Sequence, residues 1–137
     1  MTIRRILMLT VMITLGVVLG MKSESSTAQG NQASAGKVLR HVVLFKFKDD
    51  VQPAQVQEVV DAFRALPSQI EGIEGFEWGT NVSPENKAAG FTHCFFVTFR
   101  DEKSRDAYLP HPAHKAFGKI VGPHLDKVLV VDYWTEK

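Results

Sequence analysis

The stretch that decides the fold is residues 39–48, LRHVVLFKFK. Its side chains alternate with a period of two, so His41 and Val43 face one side of a strand, whereas Val42 and Leu44 face the other. Apolar residues therefore stand on both faces at the centre of this strand. Such a strand has to be covered on both sides, because exposed apolar surface is unfavourable in water.

Downstream of that strand, turn residues and changes of apolar period divide the chain into further strands and helices. Pro53 suits a first helical position, and apolar residues then recur at helical spacing until Pro67. The predicted elements are, in chain order, strand 39–48, helix 53–66, strand 76–78, strand 92–100, helix 103–109 continuing over 113–120 after a turn at Pro110 and Pro112, and strand 127–133.

The order of these elements, β-α-β-β-α-β, predicts an α+β, ferredoxin-like protomer in which the helices cover one face of a four-stranded antiparallel sheet. The other face stays open, although the first, third and last strands carry apolar residues on it. A second copy of the chain can bury that face. We therefore predict a homodimer whose sheets pack together through the open face.

The N-terminus begins with MTIRR, followed by a 15-residue apolar run and a small polar tract that ends in SSTA. This pattern predicts a signal peptide over residues 1–28, a flexible linker over 29–37 and one domain over 38–137. The protein is then exported, either periplasmic or secreted. The alternative is an uncleaved segment that anchors the protein to a membrane.

Charge and motifs exclude several classes of partner. Three basic residues and one acidic residue fall within residues 1–28, so their removal changes the formal net charge from +1 to −1. Such a balance argues against a nucleic-acid partner. The five histidines show no paired metal-ligand spacing, and the chain has no phosphate loop or dinucleotide fingerprint. We expect neither a metal nor a cofactor.

Five segments, HVVLFKFKDD, WGTNVSPENK, GFTHCFFVTF, YLPHPAH and VLVVDY, resemble in order and spacing the stress-responsive dimeric α/β barrel (Dabb) family. The resemblance covers essentially all of residues 39–137. It implies a ferredoxin-like protomer and a dimer whose two sheets form a shared barrel. Members of this family include proteins without assigned chemistry and a plant polyketide cyclase.

Residues 108–118, YLPHPAHKAFG, place a phenol and two imidazoles around two prolines. Resemblance to the cyclase implies that His114 is a general base and that Tyr108 donates a hydrogen bond to a developing oxyanion. Asp132 is a candidate to fix the tautomer of His114 from within hydrogen-bond reach, and His41 is expected to line the same cavity.

Two hypotheses follow for function. The first is a small-molecule-binding stress protein whose cavity accepts an apolar ligand, with no assigned chemistry. The alternative is a cyclase or lyase that acts on a β-dicarbonyl-like substrate. A structural role also stays open, in which His111 caps the turn at Pro112 and His114 is a satisfied core histidine. The expected ligand-binding residues are His41, Val43, Phe63, His111, Phe117, Val128 and Val130.

Overall fold

A computed structural model describes residues 36–136 of the chain. The predicted signal peptide and most of the predicted linker lie outside these residues. The elements are β1 (Lys37–Phe47), α1 (Pro53–Ala65), β2 (Ile73–Thr80), β3 (His93–Phe99), α2 (Glu102–Tyr108), α3 (Pro112–Val121) and β4 (Leu125–Glu136).

The four strands form one antiparallel sheet with the order β2-β3-β1-β4. This arrangement confirms the predicted ferredoxin-like βαββαβ fold. The two strands that alternate most clearly in the sequence, β1 and β3, lie at the centre, where both of their edges are paired. β4 forms an edge and is longer than its predicted range 127–133, because it pairs along almost the whole of β1.

Strand β2 is also longer than the predicted range 76–78. Its sequence, IEGFEWGT, contains two glycines and shows no clean apolar period. The sequence pattern therefore predicts only part of this strand. Backbone pairing with the well-patterned β3 fixes it instead. A segment whose sequence pattern is weak can thus form a strand because it pairs with a strand whose pattern is clear.

The core lies between the sheet and the helices. Helix α1 begins at Pro53 after Gln52, whose backbone N–H donates to the Gln55 side chain at 2.9 Å. One face of this helix is buried, as its apolar spacing predicts. The largest fully buried core residues are Phe63, Phe95, Phe99 and Tyr108, together with Val59, Val60 and Val97.

No helix covers the other side of the sheet within the described range. Leu129 and Val131 of β4 remain 43% and 47% exposed there, although both are large and apolar. Cross-strand pairing places Leu129 opposite Leu44 and Val131 opposite Val42. We refer to the apolar surface formed by Val42, Leu44, Phe96, Leu129 and Val131 as the open face.

Residues 36–136 contain neither a candidate membrane-spanning helix nor a candidate metal-binding cluster. Between residues 36 and 136 no helix is both long and apolar enough to span a bilayer. In the same range, no cluster of three or more histidine, cysteine or acidic side chains is arranged to hold a metal ion.

Candidate functional site

A cavity of ≈ 340 Å³ lies between the β1 and β4 edge of the sheet and the helical region that contains α2 and α3. The edge strand β4 extends past the cover of the helices, so Val128 and Val130 stay about half exposed at its rim. The cavity is lined by all five residues that were predicted to form its apolar wall, which are Val43, Phe63, Phe117, Val128 and Val130. Its titratable residues are His41, Tyr108 and His114.

Tyr108 ends α2 and is only 1% exposed. Burial raises the pKa of its phenol above the usual range, so the hydroxyl keeps its proton. None of the groups in residues 36–136 forms a hydrogen bond with this hydroxyl, although buried polar groups are nearly always paired. The cavity wall thus holds a buried hydroxyl donor that has no acceptor among these residues.

The proline-containing turn brings His114 next to Tyr108. Helix α2 stops at Tyr108, α3 starts at Pro112, and the rings of Tyr108 and His114 then lie 4.2 Å apart between centroids. The convergence of these two side chains on one cavity is confirmed. Pro112 at the first position of α3 sets this geometry because its fixed φ suits a helix start.

The predicted hydrogen bond between Asp132 and His114 is wrong. Nδ1 of His114 instead lies 3.0 Å from the backbone carbonyl oxygen of Leu109. A carbonyl only accepts, so Nδ1 carries the proton and donates it, which leaves Nε2 with a lone pair when the ring is neutral. The turn itself, and not Asp132, therefore fixes the tautomer of His114.

Asp132 pairs with His41 instead, because the two residues are direct cross-strand partners in the β1–β4 ladder. Nδ1 of His41 lies 2.7 Å from Oδ1 of Asp132, and Arg105 of α2 donates from Nη1 to Oδ2 of the same carboxylate. Burial lowers the pKa of His41 below its ordinary value, and the hydrogen bond to Asp132 offsets part of that effect.

His111 does not line the cavity described above. It precedes α3, where its Nδ1 accepts a hydrogen bond from the backbone N–H of Ala113 at 3.2 Å. This position agrees with a role in capping the turn at Pro112. A histidine directly before a proline that starts a helix is well placed to cap, because its side chain reaches the unpaired N–H groups of the first turn.

Sequence reasoning missed Arg105. It lies three residues before Tyr108 on α2, so both side chains lie on neighbouring parts of one helix surface. That spacing was the available signal, but an arginine on a short amphipathic helix is usually a solvent-facing residue. Its carboxylate partner on β4 becomes apparent only once the strands are in register.

A comparison with protein-family models matches residues 39–135 to the stress responsive A/B barrel domain. The chain belongs to this family. The match spans every strand and helix described above except the ends of β1 and β4. The resemblance predicted from the five segments is thereby confirmed.

Individual relatives differ in what their names state. A stress-response A/B barrel domain-containing protein from Arabidopsis thaliana is 42% identical over 69% of this chain and 87% of the relative. Olivetolic acid cyclase from Cannabis sativa is 33% identical over 72% of this chain and 98% of the cyclase. The family thus contains both a protein named for its domain alone and a named enzyme.

One similar protein of known structure is described as a dimer. A dimeric ferredoxin-like protein of unknown function from Thermobifida fusca superposes with a TM-score of 0.62 at 28% identity, covering 72% of this chain and 91% of that one. Structural relatives of this A/B barrel domain therefore include a protein described as dimeric.

Proposed function

We propose that this A/B barrel domain binds a small, mostly apolar molecule that carries a carbonyl group, in the cavity beside Tyr108. The observation that carries the proposal is the buried Tyr108 hydroxyl, which has no acceptor among residues 36–136. A ligand carbonyl in the cavity would accept this hydrogen bond. The cost of a buried unpaired donor, about 1–3 kcal/mol, would then be removed on binding.

The wall of the cavity favours the apolar part of such a ligand. Phenylalanine and valine side chains dominate it, and Phe63 and Phe117 lie 4.5 Å apart between ring centroids. Its volume of ≈ 340 Å³ is at the lower end of the range for small-molecule sites. A short alkyl chain with one or two oxygens matches both the size and the chemistry.

Replacing Tyr108 with Phe tests the proposal with a simple probe, ethyl butyrylacetate, which has a ketone, an ester and a short alkyl chain. We expect calorimetry to give a Kd about tenfold higher for the variant, since a hydrogen bond of roughly 1.4 kcal/mol is lost while the ring still packs.

Hexane, which has an alkyl chain of the same length and no oxygen, is the matched control ligand and should bind both proteins with the same affinity. Equal binding of ethyl butyrylacetate by both proteins, or no binding to the wild type, would contradict the proposal.

A second candidate function is carbon–carbon bond formation or cleavage on a β-dicarbonyl substrate. The short distance between Tyr108 and His114 and the fixed tautomer of His114 favour it. In this reaction Nε2 of His114 removes the C–H proton between two carbonyls, and Tyr108 donates to the enolate oxygen. The enolate carbon attacks a further carbonyl in the chain, and the alkoxide so formed takes the proton back from His114.

We also propose that the protein is a homodimer formed through the open face. The exposure of Leu129 and Val131 supports this assembly, because apolar side chains of this size are rarely left in water as a continuous surface. The dimeric relative from Thermobifida fusca supports it independently.

Export remains a proposal that rests on residues 1–28 alone, with a membrane-anchored form as its alternative. An exported protein would meet its ligand outside the cytoplasm. The size of the mature chain decides between the two forms, because cleavage after Ala28 removes the apolar run, whereas an anchor retains it.

A further inference from the structure

We infer that Arg105 is a positioning residue of the cavity: its pairing with Asp132 keeps His41 a neutral imidazole with a free Nε2, which gives the cavity a second proton acceptor besides His114. The inference deepens the proposed ligand site and rests on it for its functional meaning. The arrangement itself is testable without any ligand.

The hydrogen bonds form a chain with a defined direction. Arg105 donates from Nη1 to Oδ2 of Asp132, and Oδ1 of the same carboxylate lies 2.7 Å from Nδ1 of His41. A carboxylate paired with a guanidinium only accepts, so Nδ1 of His41 carries the proton. Nε2 then holds a lone pair, and none of the groups in residues 36–136 forms a hydrogen bond with it.

Burial is the main reason that His41 favours its neutral form, and the charge of Arg105 acts in the same direction. A half-buried carboxylate beside an imidazole normally draws a second proton onto the ring, because the resulting ion pair balances the negative charge. Arg105 already balances the negative charge of Asp132. Their side chains are 21% and 24% exposed, respectively. His41 can therefore stay neutral while it keeps its hydrogen bond to Asp132.

The other groups around His41 either disfavour its charged form, as Arg105 does, or carry no charge. His114 of α3, when it is charged, disfavours a second charge on His41. Tyr108 of α2 and Phe99 of β3 contact the ring with neutral aromatic groups at 5.7 Å and 6.1 Å between centroids. The cross-strand neighbour on β3 is Val97, which has no charge.

A second contact holds the Arg105 side chain in place. Its Nε donates to Oδ1 of Asp106 at 2.7 Å, so the guanidinium bridges carboxylates on α2 and β4. An arginine suits this role because its planar group donates in two fixed directions at once. This bridge ties the end of the helix that carries Tyr108 to the strand that carries Asp132.

The test is a pH titration of the imidazole nitrogens of the full chain by two-bond proton–nitrogen NMR. In the wild type, His41 should show a protonated Nδ1 and an unprotonated Nε2 at pH 7. In Arg105→Gln, the His41 titration should move upward, since no positive charge then offsets the carboxylate. Arg105→Lys should restore most of the wild-type behaviour because it keeps the charge.

Arg64→Gln is the matched control, because Arg64 is an exposed arginine on α1 whose ion pair with Asp61 lies away from His41. It should leave the titration unchanged. Arg105→Met serves as a second neutral variant if Arg105→Gln does not fold. An unchanged His41 titration in a folded neutral variant would overturn the inference. A failed ligand-binding test would leave this NMR result standing, so the two outcomes are distinguishable.

Discussion

Replacing Leu129 with Lys is expected to convert the proposed dimer into a monomer. Leu129 lies in the open face, opposite Leu44, and is 43% exposed in the single chain. An ammonium group buried there without a partner costs about 3 kcal/mol or more, which raises the dimer Kd roughly 100-fold. Sedimentation equilibrium across a range of protein concentrations measures this change.

Val82→Lys is the matched control for that experiment. Val82 is 90% exposed and precedes β3 in the β2–β3 connection, so the same charge there should leave the assembly unchanged. A wild-type protein that is monomeric at micromolar concentration would contradict the proposed dimer. A Leu129→Lys variant that dimerises as tightly as the wild type would instead show that the interface lies elsewhere.

Replacing His114 with Gln is expected to lower any catalysed proton exchange by about 10²–10⁴-fold, the usual contribution of a general base. The acidic C–H group of ethyl butyrylacetate provides the readout, because proton NMR in D₂O follows its replacement by deuterium. The glutamine amide would keep a polar side chain in the first turn of α3 but would supply no basic nitrogen. The variant should therefore stay folded.

His124→Gln is the control for this substitution, since His124 lies in the turn between α3 and β4 and does not line the cavity. Its exchange rate should equal that of the wild type. If the wild type exchanges no faster than buffer, the base-catalysed alternative is wrong, whereas the ligand-binding proposal is unaffected. Unchanged exchange in His114→Gln would assign the proton transfer to another group, with His41 the next to test.

The sequence predicted the architecture well because the deciding patterns are local. Alternation in β1 and β3 identified the central strands, and helical spacing after Pro53 identified α1. The apolar wall of the cavity could also be predicted. Val43 lies on the helix side of its strand by the same alternation, and Phe63 and Phe117 lie on the buried sides of their helices.

The hydrogen-bond partners within the site could not be predicted, because they depend on strand register and on backbone groups. Asp132 reaches His41 rather than His114 only because β1 and β4 align these two residues. The carbonyl of Leu109 becomes the partner of His114 through the turn between α2 and α3. A residue pattern shows which imidazoles and carboxylates are available, but not which pairs the folded backbone brings together.

The central claim is that the buried Tyr108 hydroxyl binds a ligand carbonyl in the cavity, and one spectroscopic measurement tests it directly. Ethyl butyrylacetate labelled with carbon-13 at its ketone is added to the wild type and to Tyr108→Phe, and the carbonyl resonance of the bound form is recorded. A hydrogen bond from a phenol draws electrons from the carbonyl carbon. Water also donates to the free ketone, so the resonance should stay near or downfield of its aqueous value on binding to the wild type and move upfield in the variant, where no hydroxyl replaces the water. An identical bound resonance in both proteins would contradict the claim.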